Sequence, residues 1–423
     1  MRRQLAISAS HSQPWTTVAA ERPALFPSFF HAGFECACGY NRHGDRMDQI
    51  AATEHDRFAL EDYRRLARVG IRVAREAVRW PLVDVRGRYD FRSLRPFVEA
   101  GLRYGITQIW DLFHYGYPDD LDPFAPEFVP RFAEYAYAVA RYLGARTEGT
   151  AFFTPVNEPS YFAWVGGEVG RFAPYARGRG FDLKVQLARA AIAGIEAIWA
   201  ACPGARIVNV DPICHVACPA DRPEARPEVE RWNEAIVSEG WDMIAGRLLP
   251  ELGGSRRHLD LVGINYYWTN QWELGSSDVP LDPADPRCVP LSDLVARVWR
   301  RYGGGVLITE TSHGGPLRGR WLRHVAREAE RLLAQGVPLL GVCLYPILGM
   351  PEWDAPETWA RMGLWDLVPS ERGLRRVLYR PMRRALREAQ QRLEPPARIA
   401  REGQTSLLSG AAQSVGFSVD RCW

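Results

Sequence analysis

The sequence predicts an α/β fold, a single (β/α)8 TIM barrel with long loops at its C-terminal face. Short apolar or β-branched runs alternate with longer amphipathic stretches from about residue 29 to about residue 389. That order implies parallel strands joined by right-handed helical crossovers. Glycines stand where the helices should stop, at Gly70, Gly105, Gly144, Gly204 and Gly336. A doubly wound sheet would carry a glycine-rich phosphate turn after an early strand, and no G-x-G-x-x-G occurs.

The strands are expected at 29–34 (FFHAGF), 71–78 (IRVAREAV), 106–113 (ITQIWDLF), 150–156 (TAFFTPV), 206–210 (RIVNV), 259–264 (LDLVGI), 305–309 (GVLIT) and 339–344 (LLGVCL). Helices are expected between them at about 56–69, 91–104, 127–143, 182–200, 229–247, 291–301, 318–335 and 371–390. Long insertions follow several strands, at 35–55, 159–180, 266–290 and 345–370. In a barrel of this kind those loops build the active site. They carry Tyr40, Tyr161, Trp164, Tyr267, Trp268, Trp272, Tyr345 and Trp353, whose faces suit either packing onto the barrel or stacking on a sugar ring. Residues 1–24 form an irregular N-terminal segment, 25–390 the barrel domain, and 391–423 a small-residue-rich stretch expected to be a flexible tail.

A net charge of +3 gives no strong field for nucleic acid or an anionic membrane. No segment approaches the ~18 apolar residues of a membrane span. The eight cysteines make no C-x-x-C pair, and Ser8, Ser10, His11 and Ser12 interrupt any signal-like apolar run. A cytoplasmic protein with reduced thiols is expected. The group His31, Cys36, Cys38 and His43 is too irregular in spacing to predict a metal site, and neither H-x-H nor H-E-x-x-H occurs. No metal or cofactor is expected. Lys184 is the sole lysine and falls in a predicted helix, which excludes a Schiff-base lysine at a strand end.

Two carboxylates stand at strand ends. FFTPVNEP delivers Asn157 and Glu158 past the fourth strand, and GVLITETSHGG delivers Glu310 past the seventh. Such a pair across one barrel mouth suits glycoside hydrolysis, in which one acid protonates the leaving oxygen and the other carboxylate attacks the anomeric carbon. Retaining enzymes hold the pair ~5–5.5 Å apart and inverting ones ~6.5–9.5 Å.

T-P-V-N-E-P followed by I-T-E-T resembles the T-x-N-E-P and I/V-T-E-N-G signatures of glycoside hydrolase family 1, the β-glucosidase family. RVAREAVRW is similar to the second-strand R-F-S-x-x-W, matching at Arg75 and Trp80. LFHYGYPDDL is similar to L-x-H-W-D-L-P-x-x-L, matching at His114, Pro118 and Leu121. VGINYY resembles G-x-N-Y-Y, and YPILGMPEW resembles W-S-L-x-D-N-x-E-W, matching at Glu352 and Trp353. RMGLWDL stands where R-F-G-L follows, so the likeness covers about 25–385.

The resemblance implies a retaining β-glycosidase acting on a small glycoside. Glu310 would be the nucleophile and Glu158 the acid/base. Arg75 and Tyr267 would support the nucleophile. His114, Asn157, Asn265, Glu352 and Trp353 would bind substrate. Three departures stand out. The first-strand glutamine of A-x-Q-I-E-G has no counterpart in GFECACGYNRHGD, where Tyr40 or Asn41 lies nearest. The eighth-strand Trp-Ser is Tyr345-Pro346, and the Asn-Gly after the nucleophile is Thr311-Ser312. These departures motivate an alternative, a glycoside-binding barrel of the same descent without turnover. Glu352 and the absence of a nearby lysine argue against the family's phosphosugar branch.

Overall fold

The computed structural model describes residues 25–277 and 279–394. The expected N-terminal segment, 1–24, lies outside the described residues, as does 395–423 of the expected tail. Eight parallel strands close a barrel in sequence order, and the eighth pairs with the first. They are β1 (Phe30–Gly33), β2 (Val73–Ala77), β3 (Thr107–Asp111), β4 (Phe152–Thr154), β5 (Arg206–Pro212), β6 (Leu261–Asn265), β7 (Gly305–Thr311) and β8 (Leu339–Leu344). Each falls in or against the run expected for it. Helices α1 (His55–Arg68), α2 (Arg95–Tyr104), α3 (Phe128–Gly144), α4 (Gly180–Ala201), α5 (Arg226–Glu234), α6 (Glu239–Ile244), α7 (Leu291–Tyr302), α8 (Arg318–Ala334) and α9 (Arg380–Leu393) ring the sheet.

The strands alternate between two cores because successive side chains face opposite sides. Val73, Ile109, Phe152, Val208, Val210, Leu261 and Leu307 fill the barrel interior, plugged at its base by Phe26. Their neighbours, among them Ala74, Trp110, Phe153, Ile207, Val262 and Ile308, pack outward against the helices. On α1 the buried residues His55, Ala59, Asp62, Tyr63 and Leu66 follow a helical stripe. Lys184 on α4 is buried and pairs with Glu239 of α6 at 2.8 Å.

Two helix expectations need correction. The stretch 229–247 is not one helix: α5 ends at Glu234, a 3-10 turn spans Ile236–Ser238, and α6 restarts at Glu239. The break lets Gly240 lie against Asp211, where an added Cβ would come within 2.2 Å of a carboxylate oxygen. The other is 371–390, whose first part is a strand. Trp365–Ser370 and Gly373–Leu378 form an antiparallel hairpin, with Gly373 at φ 103°, and α9 begins only at Arg380. Alternation in GLRRVL fits a strand, and Pro381 suits the first turn of the helix that follows. The helix then runs on to Leu393, into the segment expected as tail.

The hairpin is anchored by charge. Arg376 donates to both oxygens of Asp62 at 2.9 Å. His55 bridges Asp62 and Glu76 at 3.0 and 3.1 Å, so hairpin, α1 and β2 share one buried network. Among the described residues, no helix is long and apolar enough to cross a membrane.

Candidate active site

Period-two alternation explains how charge reaches the barrel mouth. In β2, Val73 fills the interior and Arg75, two residues on, occupies the next layer up. In β3, Ile109 and Asp111 repeat the pattern, and β6 ends on Asn265. Strand β7 departs from it. Ile308 pairs with Ile264 and Glu310 with Asn265, so two residues of β7 oppose one of β6. This β-bulge re-aims the strand. Thr309 donates to Asn265 Oδ1 at 2.7 Å, while Glu310 also faces the interior.

After β4 the chain turns sharply. Asn157 N–H donates to Phe113 O and Glu158 N–H to Val210 O, both at 2.9 Å, continuing the neighbouring ladders. Glu158 itself takes φ 45°, and Pro159 opens a short helix over Pro159–Phe162. Tyr115, at φ 64°, is a second non-glycine residue in left-handed backbone here. Both conformations cost energy and need surrounding structure to hold them.

The side chains form one connected set. Arg75 donates to Glu310 Oε1 at 2.5 Å, to Asn157 Oδ1 at 2.5 Å and to Asp111 Oδ2 at 2.6 Å. Tyr267 donates to Glu310 Oε2 at 2.8 Å. Glu158 accepts from Tyr115 at 2.5 Å and from Asn265 Nδ2 at 2.8 Å. His114 sits between Asp111 (Nδ1, 2.9 Å) and the Asn157 amide (Nε2, 3.1 Å). Glu35, just past β1, meets Tyr345 Oη and Ala37 N. Tyr345 crosses over β1, where Gly33 leaves the room; a Cβ there would lie 2.0 Å from its ring.

Glu310 and Glu158 are 4% and 8% exposed, so both carboxyls are nearly stripped of water. Burial, and then the charge of Glu310, pushes Glu158 up to about 8. Glu310 instead has a guanidinium and a phenol donating to it. Burial opposes charge on Arg75, yet Asp111 and Glu310 hold it firmly protonated. Burial disfavours charge on His114, but Asp111 and Glu35 more than offset that and raise its pull on a proton. The hydrogen bonds decide for the neutral ring. Arg75 fixes the Asn157 amide with its oxygen inward, so Nδ2–H points at His114 Nε2, which must accept.

Of the residues expected at the site, the structure brings together Arg75, His114, Asn157, Glu158, Asn265, Tyr267 and Glu310. Trp353 lies beside them, its ring 5.8 Å from Tyr115 and 6.4 Å from Tyr161. Glu352 does not join: its side chain is exposed on the loop after β8. Asp111, Tyr115, Glu35 and Tyr345 were not foreseen in the set. Asp111 and Glu35 had a signal, an acid inside or beside an apolar run. Tyr115 stands in the His-Trp position of the third-strand motif, where a mismatch concealed a functional group. His31, Cys36, Cys38 and His43 are not gathered. Cys36, Asp111 and His114 do lie within 4.8 Å of one another, but Asp111 Oδ2 is engaged by Arg75 and His114, and Cys36 donates to Phe34 O.

Fold and site together define a (β/α)8 barrel with a carboxylate pair at its mouth, one member clamped by arginine and the other desolvated. No family model matches the chain. It is 27% identical over 394 residues to thermostable β-glucosidase B of Thermobispora bispora, covering 78% of each. It superposes on the Thermotoga maritima β-glucosidase in complex with glucoimidazole with a TM-score of 0.71 at 18% identity, covering 85% of this chain and 97% of that one. The complex of that enzyme with noeuromycin gives a TM-score of 0.69 at 19% identity, covering 86% and 98%. Both likenesses are to β-glucosidases, and with the ordered motifs they fit a divergent relative of glycoside hydrolase family 1.

Proposed function

We propose that the chain is a retaining β-glycosidase that removes the terminal β-linked sugar of a small glycoside by double displacement. The observation that carries this is the electrostatic contrast between its two buried carboxyls. Glu310 receives Arg75 and Tyr267, which favour an anion, while Glu158 is raised to about 8 and holds a proton at neutral pH. Glu310 attacks the anomeric carbon as the bond to the leaving oxygen breaks, and Glu158 gives that oxygen its proton. Esterification removes the charge of Glu310, so the affinity of Glu158 for a proton falls. Glu158 then takes a proton from water as the water attacks the anomeric carbon, and Glu310 is released.

Asn157 is suited to the sugar 2-hydroxyl, a contact that strengthens in the transition state. His114 lies next along the pocket, Asn265 positions Glu158, and Trp353 offers an apolar face. Glu352, exposed on its loop, has no part in this scheme. The thiols of Cys36, Cys38, Cys202, Cys214, Cys218, Cys288 and Cys343 are all free, which fits a reducing, cytoplasmic setting.

Trapping with 2-deoxy-2-fluoro β-glycosides tests the mechanism. Peptide mass mapping should find the sugar on Glu310, and Glu310→Ala should abolish turnover of an aryl β-glycoside. A label on another residue, or unchanged turnover by that variant, overturns the proposal.

A further inference from the structure

Glu35 is a fourth carboxylate in this connected set, and it lies against the same His114 nitrogen, Nε2, that Asn157 meets. It is 6% exposed, and its contacts are lopsided. Oε1 takes Ala37 N–H at 3.1 Å and Tyr345 O–H at 3.3 Å, and lies 3.5 Å from His114 Nε2. Among the described residues, Oε2 has no hydrogen-bond partner, and it is not sealed from solvent. One oxygen is thus fixed by the protein while the other is left without a protein partner.

The surrounding charges do not balance. With Glu158 protonated, Glu35, Asp111 and Glu310 still share the set with a single guanidinium, Arg75, whose terminal nitrogens are taken by Glu310, Asp111 and Asn157. His114 is no cation for Glu35, because its Nε2 accepts from Asn157. A ligand entering here strips the last water from Oε2. An unpaired carboxylate left in that position is costly unless the ligand brings a donor, and a charged donor compensates best.

We propose that Glu35 makes the glycone subsite selective for a sugar carrying an ammonium group in place of a ring hydroxyl, on the carbons beyond C2. The position rests on the glycosidase scheme above. If Asn157 takes the 2-hydroxyl, Glu35, which shares the His114 nitrogen with it, stands toward the next ring carbons, C3 and C4. Burial, together with the charge of Glu310, tends to neutralise Glu35, and a bound ammonium restores its anion.

The test measures binding, separately from turnover, with thioglycosides that resist hydrolysis. Methyl 1-thio-β-glucoside and its 3-amino-3-deoxy and 4-amino-4-deoxy counterparts are titrated calorimetrically into the full chain. At least one amino sugar should bind about tenfold or more tighter than the neutral one, the scale of a hydrogen bond to a charged group. Glu35→Gln should remove that preference. Equal or tighter binding of the neutral sugar by the unaltered protein overturns the inference, and so does binding of none of the three. Persistence of the preference in folded Glu35→Gln does the same. Absence of a fluorosugar label on Glu310 counts against the glycosidase scheme alone, so the two failures are distinguishable.

Discussion

Glu158 owes its protonation to where its backbone puts it. Left-handed backbone and Pro159 seat the carboxyl in the barrel mouth with amide and phenol partners rather than a cation. For a glycoside with a poorly acidic leaving alcohol, kcat/KM should fall as pH rises through about 8, because the deprotonated acid cannot protonate the leaving oxygen. A pH–rate profile checks this. The O–H of Tyr115 favours the ionised form of Glu158, so Tyr115→Phe should move the alkaline limb upward, by about one pH unit at most. An unmoved limb would separate Tyr115 from the proton inventory. At this scale, sequence alone reveals residues that match a motif or interrupt an apolar run. Tyr115 and Tyr345 do neither, since their roles arise from a phenol oxygen meeting a carboxyl from a different strand.

Among the secondary-structure elements, the strands were the most legible, because period-two burial and terminal glycines leave a strong trace. The bulge in β7 leaves none: ITET reads as a uniform strand, and only its register against β6 turns Glu310 inward. The hairpin over Trp365–Leu378 was hidden for a related reason, since a short arginine-rich strand imitates an amphipathic helix. Its anchor can be tested. Arg376→Ala removes two donors from buried Asp62, leaving it His55 and a longer contact to Arg65, and should cost roughly 1.5–3 kcal/mol in denaturant unfolding. Gly33→Val should also destabilise, since its side chain would occupy the space of the Tyr345 ring. Overpacking of that kind costs roughly 1–3 kcal/mol. The same substitution should raise KM, through displacement of Glu35, more than mere loss of stability would.

The molecule as a whole carries several buried groups that hold protons more tightly when folded. Burial raises Glu158 to about 8 and Asp211 to about 7, and the unfolded chain releases those protons nearer pH 4. Between those limits the native state binds more protons than the unfolded state, so stability falls as pH rises. His55 acts in the same direction: burial opposes its charge, Glu76 and Asp62 more than offset that, and its pairing is lost as pH climbs past its raised value. Asp62, lowered by His55 and Arg376 against burial, loses its contribution only in acid. Calorimetric midpoints should therefore be higher near pH ~5.5 than near pH ~8.5. The chain's basic chemistry is almost wholly guanidinium, and that shapes how the protein can be handled. With Lys184 locked to Glu239, the described surface presents no side-chain amine to succinimidyl esters or glutaraldehyde. A lysine introduced on an exposed helix face would offer those reagents a side-chain amine at a chosen place.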